Sequence, residues 1–187
     1  MINPILQKIA RDTDGKVDLK LILLFIPVAY FSYIFHEFGH WTIGEILGNS
    51  MTFSLNNVSP QSGQYIYSTH SLWVCLGGPV FTFLLALIFL LIIKIYKKAW
   101  AYPFVFFQFF SRFFSIVFGE FSIQDEAKIS AIIGIGKYTI AISVILLLFF
   151  MIWRASYILK LNFKSNWYFF TISVVCELLV IFTDRLV

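Results

Sequence analysis

Apolar positions in this chain form long blocks rather than alternating or repeating as a stripe. The blocks cover residues 21–47, 72–93, 99–118, 129–153 and 167–182. Each approaches or exceeds the roughly 20 residues a helix needs to cross a hydrocarbon layer about 30 Å thick. Helices apolar on every side are buried or surrounded by lipid, since no face is left for water. The pattern predicts an all-α membrane protein, a polytopic bundle of about five transmembrane helices. After the first block, residues 51–55 and 64–67 have strand-like content and are separated by the turn formers of residues 56–63, which predicts a small β-hairpin there.

Composition agrees with the blocks: 59% of residues are hydrophobic, 13% are charged, and mean hydropathy is +0.84. Soluble domains do not have this balance. The spans leave no room for a separate soluble unit, so residues 1–187 read as one membrane-embedded domain. Within it, residues 1–20 read as a cytoplasmic or interfacial lead-in, 21–153 as the core, and 166–183 as an additional transmembrane helix. The first block starts too late and ends too polar for a cleavable leader. Ile5, Leu6 and Ile9 with Lys8 and Arg11 suit either a short surface helix or a plain tail. Cys75 and Cys176 lie in apolar blocks and read as buried free thiols.

The pI near 9.1 comes from cations flanking the spans and suggests anchoring to the lipid bilayer. No basic stripe with interleaved aromatics is present, so no nucleic-acid partner is expected. Lys8, Arg11, Lys16, Lys20, Lys94, Lys97, Lys98, Arg154, Lys160 and Lys164, ten of fourteen cationic residues, fall on one side of a five-span topology. The positive-inside rule makes that side, and the amino terminus, cytoplasmic in a multi-pass protein of the cell membrane.

Against this background the polar interruptions stand out. His36-Glu37-Phe38-Gly39-His40 lies inside the first block. Residues four apart share a helix face, so His36 and His40 can grip one metal ion, while Glu37, about 100° round the helix, can take a proton from water held there. Five alternating spans also bring Arg112, Asp125, Glu126, Lys137 and Glu177 toward the same surface. Ionisable groups at membrane depth are expensive and normally face a protein interior or a water-filled cavity, so one shared polar layer is the economical reading. Snorkelling of Arg112 and Lys137 to the interface is the ordinary alternative, and an Arg112–Glu177 ion pair bracing the site is a third.

A catalytic zinc needs three protein ligands and an open position. His70, Glu120, Asp125, Glu126 and Glu177 are the groups able to approach the correct end. Asp125 is favoured because it opens the fourth apolar helix, which fixes the direction of a short side chain. Glu126 is its rival, and helix capping is the ordinary role for either position. Gly44 and Gly48 continue the His36–His40 stripe and suggest a small-residue seam for a neighbouring helix or a substrate.

These residues resemble the site-2 protease family of intramembrane zinc metalloproteases. The likeness rests on His36-Glu37-Phe38-Gly39-His40 on a membrane helix, on residues 48–54 as a turn into a hairpin, and on Gly78-Pro79 early in the second apolar block. It covers residues 21–153. It implies a Zn²⁺ cofactor on His36, His40 and a downstream Asp, for which Asp125 is suitably placed, with Glu37 as the catalytic acid–base. The implied substrate is a membrane protein or peptide. From the residues themselves, a hairpin at 51–67 would offer an edge with which an unwound stretch of such a substrate can pair, the alternative being an ordinary extracytoplasmic loop. The family's Gly-Pro-x-x-Asn element implies a substrate or oxyanion role for Gly78, Pro79 and the position of Thr82, where Asn is replaced. The family's Leu-Asp-Gly is replaced by Gln124-Asp125-Glu126, which leaves both carboxylates open as third ligand. Many members also place their zinc toward the cytoplasm, opposite to the side the charge count gives here.

Two other classes fit the same residues. One is a zinc-binding, non-proteolytic membrane scaffold or chaperone, suggested by Thr82 and the altered third-ligand context. The other is a small metal or ion transporter, disfavoured by the lack of an internal repeat.

Overall fold

The computed structural model describes residues 19–186. The suggested surface helix at Ile5–Arg11, and the cations Lys8, Arg11 and Lys16, lie outside the described residues. The chain is an all-α bundle. Helix α1 spans Leu19–Ile46 and α2 spans His70–Tyr96. A 3₁₀ turn, Ala99–Ala101, leads into α3, Tyr102–Phe118. A second such turn, Phe121–Ile123, precedes α4, Asp125–Ile133, and α5 (Thr139–Leu159) and α6 (Phe163–Asp184) follow. Helices α1, α2, α3 with its leading turn, α5 and α6 are long and apolar enough to cross a membrane, which makes this an integral, multi-pass membrane protein.

The expected fourth span, residues 129–153, is two helices. Its apolar content is continuous, but Gly134 (φ 76°) and Gly136 (φ 96°) adopt the left-handed backbone that terminates helices, and Gly134 N–H closes α4 on Ser130 O. The nine residues of α4 rise only about 14 Å, so α5 alone spans. Lys137, expected in the polar layer, sits in this break, exposed, with Nζ over the rings of Phe121 and Tyr138.

Helix α3 is the most enclosed, and α5 and α6 flank the bundle. Aromatic rings fill the core at the end remote from the histidines. Phe25 of α1 stacks on Phe169 of α6 with centroids 5.6 Å apart, and Tyr102 of α3 lies 5.1 Å from the same ring. Tyr102 Oη also donates to Asn166 Oδ1 at 2.5 Å, and Asn166 Nδ2 donates to Ser156 Oγ at 3.0 Å. These bonds tie the start of α3, the end of α5 and the start of α6 together. Lys20, Lys94, Lys97, Lys98, Arg154, Lys160 and Lys164 therefore share one end of the bundle, opposite His36 and His40.

The loop after α1 contains no strand among the described residues. It contains a single bridge, Met51 to Pro60, and the narrow pairs Gln61 N–H to Ser50 O (2.9 Å), Thr52 N–H to Ser59 O (2.8 Å) and Ser54 N–H to Asn57 O (3.0 Å). The return arm thus falls within the stretch expected to be the turn, and residues 64–67 do not pair with 51–55. Gln61 Nε2, reaching Met51 O at 3.4 Å, and the Thr52 hydroxyl, reaching Ser59 O at 2.9 Å, favour the nearer partner. Buried Asn49 organises the far side: its Oδ1 accepts from Ile66 N–H at 3.0 Å, and its Nδ2 lies 3.0 Å from His70 Nδ1.

Candidate metal centre

The site is built where α1 crosses α2. Gly39 and Gly77 let the two backbones touch, since a Cβ on either would overlap the carbonyl of the other. Gly78, one residue on, lies against the rings of His36 and His40, and any side chain there would displace both. Pro79 has no N–H to give the carbonyl one turn earlier and crowds it, which loosens the turn before it. In that turn the Val74 carbonyl takes a hydrogen bond from His40 Nδ1 at 2.6 Å. Gly78 and Pro79, expected to face substrate, thus shape the bed on which the imidazoles lie.

A carbonyl oxygen only accepts, so the 2.6 Å contact with Val74 O, shorter than the competing 3.3 Å approach of Gly78 N–H to the same nitrogen, favours the His40 proton on Nδ1 and leaves Nε2 a bare acceptor. His36 Nδ1 lies 2.8 Å from Thr82 Oγ1, and with Nδ1–H donated there its Nε2 is bare as well. The two Nε2 atoms are 3.1 Å apart. Asp125 Oδ2, arriving from α4, lies 3.1 Å from His36 Nε2 and 3.2 Å from His40 Nε2. With both Nε2 atoms bare, three acceptors at these distances repel, and either a shared proton or a cation among them relieves that repulsion. Tetrahedral zinc with ligands at 2.0–2.1 Å separates its ligand atoms by about 3.3–3.4 Å, so this triangle fits such an ion with modest relaxation. The carboxylate of Glu37 lies within 4.8 Å of the histidine nitrogens. His36, Glu37 and His40 are all buried, at 5, 6 and 7% exposure, whereas the Asp125 side chain is 16% exposed, which marks the open flank.

The other third-ligand candidates are placed elsewhere. Glu126, only 1% exposed, turns toward Arg112, with Oε1 3.9 Å from Nη1. Burial lifts Glu126 above the ordinary carboxylate range while the Arg112 guanidinium pulls it back. Glu177 accepts from Tyr33 Oη at 2.6 Å. His70 pairs with Asn49, and Glu120 is exposed and bonded to the Ser122 hydroxyl.

Several expectations need correction. Arg112 does not brace Glu177; its Nη1 lies 3.9 Å from Asp125 Oδ2 and from Glu126 Oε1. A guanidinium on α3 reaches the opening of α4, while Tyr33, one turn before Glu37 on α1, occupies Glu177. Thr82 does not face outward to a substrate: it is 2% exposed, with its hydroxyl behind His36. The Gly44–Gly48 seam is not present either, because α1 ends at Ile46, Gly48 turns left-handed (φ 82°), and the Met51 side chain covers Gly44. Sequence reasoning missed Val74, which acts through its carbonyl and so carries no side-chain signal. It also missed Tyr33, whose four-residue spacing from Glu37 was available.

Compared with family models, curated proteins and solved structures, the chain matches none. The fold and site define the class directly: a multi-pass helical membrane protein with a buried His-Glu-His group able to hold a metal.

Proposed function

We propose that this chain is an intramembrane zinc metalloprotease of the site-2 protease kind, with His36, His40 and Asp125 as metal ligands. The observation that carries the reading is the convergence of two Nε2 atoms and one carboxylate oxygen within 3.2 Å of each other, with Glu37 alongside. Zinc, when bound, supplies Lewis acidity that lowers the pKa of water and polarises a carbonyl. Val74 and Thr82 hold the imidazoles in the ligating orientation. Glu37 takes a proton from the attacking water as its oxygen bonds to the peptide carbonyl carbon, and returns it to the leaving nitrogen as the C–N bond breaks. Helices α1, α2 and α3 exclude bulk solvent on the inner side, and Asp125 marks the side from which water enters.

The substrate class is a membrane-spanning or membrane-associated peptide. A helix hides its peptide bonds, so it has to be extended before cleavage. Alternation along residues 50–54 leaves the main chain of Phe53 on the outer edge of the loop, where an extended segment can add. By the positive-inside rule the Lys-rich end lies in the cytoplasm and the histidine end on the opposite face of the cell membrane.

The full chain in detergent, assayed for zinc by elemental analysis and for cleavage of single-span model peptides, tests the reading. Wild type should hold one zinc and cut, Glu37→Gln should hold zinc and not cut, and Asp125→Ala should lose zinc where Glu126→Ala keeps it. A wild type without zinc, or Glu37→Gln cutting at the wild-type rate, overturns the assignment. The engagement of Thr82 with His36 favours one rival, a zinc-holding scaffold, for which Glu37→Gln would leave partner binding unchanged and neither form would cut. A transporter would instead show flux that Glu37→Gln alters.

A further inference from the structure

Asp125 is an awkward ligand to hold in place. It opens a helix of only nine residues, preceded by the largely exposed turn Phe121–Ile123 and followed by the Gly134 break, so no long element aims it at α1. Ligating groups have to sit within roughly half an ångström of their working position. What reaches this corner from the rigid bundle is Arg112, on α3, with Nη1 3.9 Å from Asp125 Oδ2 and 3.9 Å from Glu126 Oε1. The guanidinium and Glu126 are both buried, at 7 and 1% exposure. Neither oxygen of Glu126 has a hydrogen-bond partner, and neither does Arg112 Nε. Out of water, these charges interact far more strongly than a surface pair, and Arg112 is the one cationic side chain within 4 Å of the Glu126 carboxylate among the described residues.

We propose that Arg112 is a positioning residue for the metal centre: it clamps the first turn of α4 to α3 through Glu126 and thereby aims the adjacent Asp125 at His36 and His40. The inference rests on the metal-centre reading above. It assigns different work to two consecutive carboxylates, one reaching the ion and the other anchoring the helix that carries it. It also explains a guanidinium next to a cation site, where mere charge repulsion would exclude one.

Co²⁺ binding by the full chain in detergent tests this, read as the visible ligand-field spectrum and as affinity in competition with a chelator. Wild type should give the spectrum of a four-coordinate ion. Arg112→Met should weaken Co²⁺ by roughly 10–100-fold, the range for lost ligand support, and change the spectrum; Arg112→Lys should recover part of both. Because Arg112→Met strands Glu126 and can unfold the bundle, the deciding variant is Arg112→Met with Glu126→Met, which leaves no unpaired buried charge. That double variant should remain weak and spectrally altered. Wild-type affinity and spectrum in it would overturn the proposal, since Arg112 would then only neutralise Glu126. Failure of wild type itself to bind Co²⁺ would overturn the metal-centre reading, a distinguishable result.

Discussion

Gly39 and Gly77 meet backbone to backbone, each occupying the space where a side chain on the other would project. This contact sets the distance between α1 and α2, and with it the placement of both imidazoles over Gly78. Gly77→Ala should therefore destabilise the bundle by about 1–3 kcal/mol, the usual range for overpacking against groups unable to yield. Gly44→Ala should cost less, because the atoms it meets belong to the flexible Met51 side chain. Thermal unfolding of the two variants in the same detergent gives the order.

Thr82 and Val74 support the two histidines by different means, one through a hydroxyl and one through a main-chain carbonyl. Only the first can be removed by substitution. Thr82→Val keeps the shape and deletes the acceptor, so zinc affinity should fall roughly 10–100-fold; Thr82→Ser should retain it. Chelator competition measures the ratio. Equal affinity in both variants would show that packing alone orients His36.

How much of this was legible in the sequence follows from what each feature depends on. The spans were, because continuous apolarity is a property of the string: among the described residues five helices are long and apolar enough to span, and all but the fourth, which runs Thr139–Leu159 instead of 129–153, lie close to the predicted blocks. The break between α4 and α5 was carried by Gly134 and Gly136, whose conformational role outweighed the apolar residues around them. His36 and His40 share a face by helix geometry alone, so their pairing was readable. The partners of Arg112, Thr82 and Glu177 were not, since they depend on how α1, α3, α4 and α6 rotate against each other. Spacing fixes depth in a bundle but leaves azimuth to packing.

Tyr33 and Glu177 form a buried pair whose members depend on each other. Glu177 is fully buried, its Oε1 accepts from Tyr33 at 2.6 Å, and its Oε2 has no hydrogen-bond partner. Tyr33→Phe deprives the carboxyl of its one hydrogen bond and should destabilise the protein by about 1–3 kcal/mol. Tyr33→Phe with Glu177→Met should recover most of that loss, because both polar partners are then gone. Chemical denaturation of the single and double variants completes the cycle; additive losses would mean the bond contributes little.

The distribution of cations makes a prediction about topology that is independent of the chemistry. Lys20, Lys94, Lys97, Lys98, Arg154, Lys160 and Lys164 lie at one end of the described bundle, while the other carries Lys128, Lys137 and Arg185 beside the buried Arg112. Positive residues near span ends are retained on the cytoplasmic side during insertion. Ser62 is exposed in the loop at the histidine end and Lys97 is exposed at the opposite end, so a cysteine at each reports one face. Cys75 and Cys176 are buried and should react little with a bulky reagent. With a membrane-impermeant maleimide on intact cells, Ser62→Cys should label without lysis and Lys97→Cys only after it. The reverse pattern would place the histidine end in the cytoplasm and would mean that the cations follow helix packing rather than insertion.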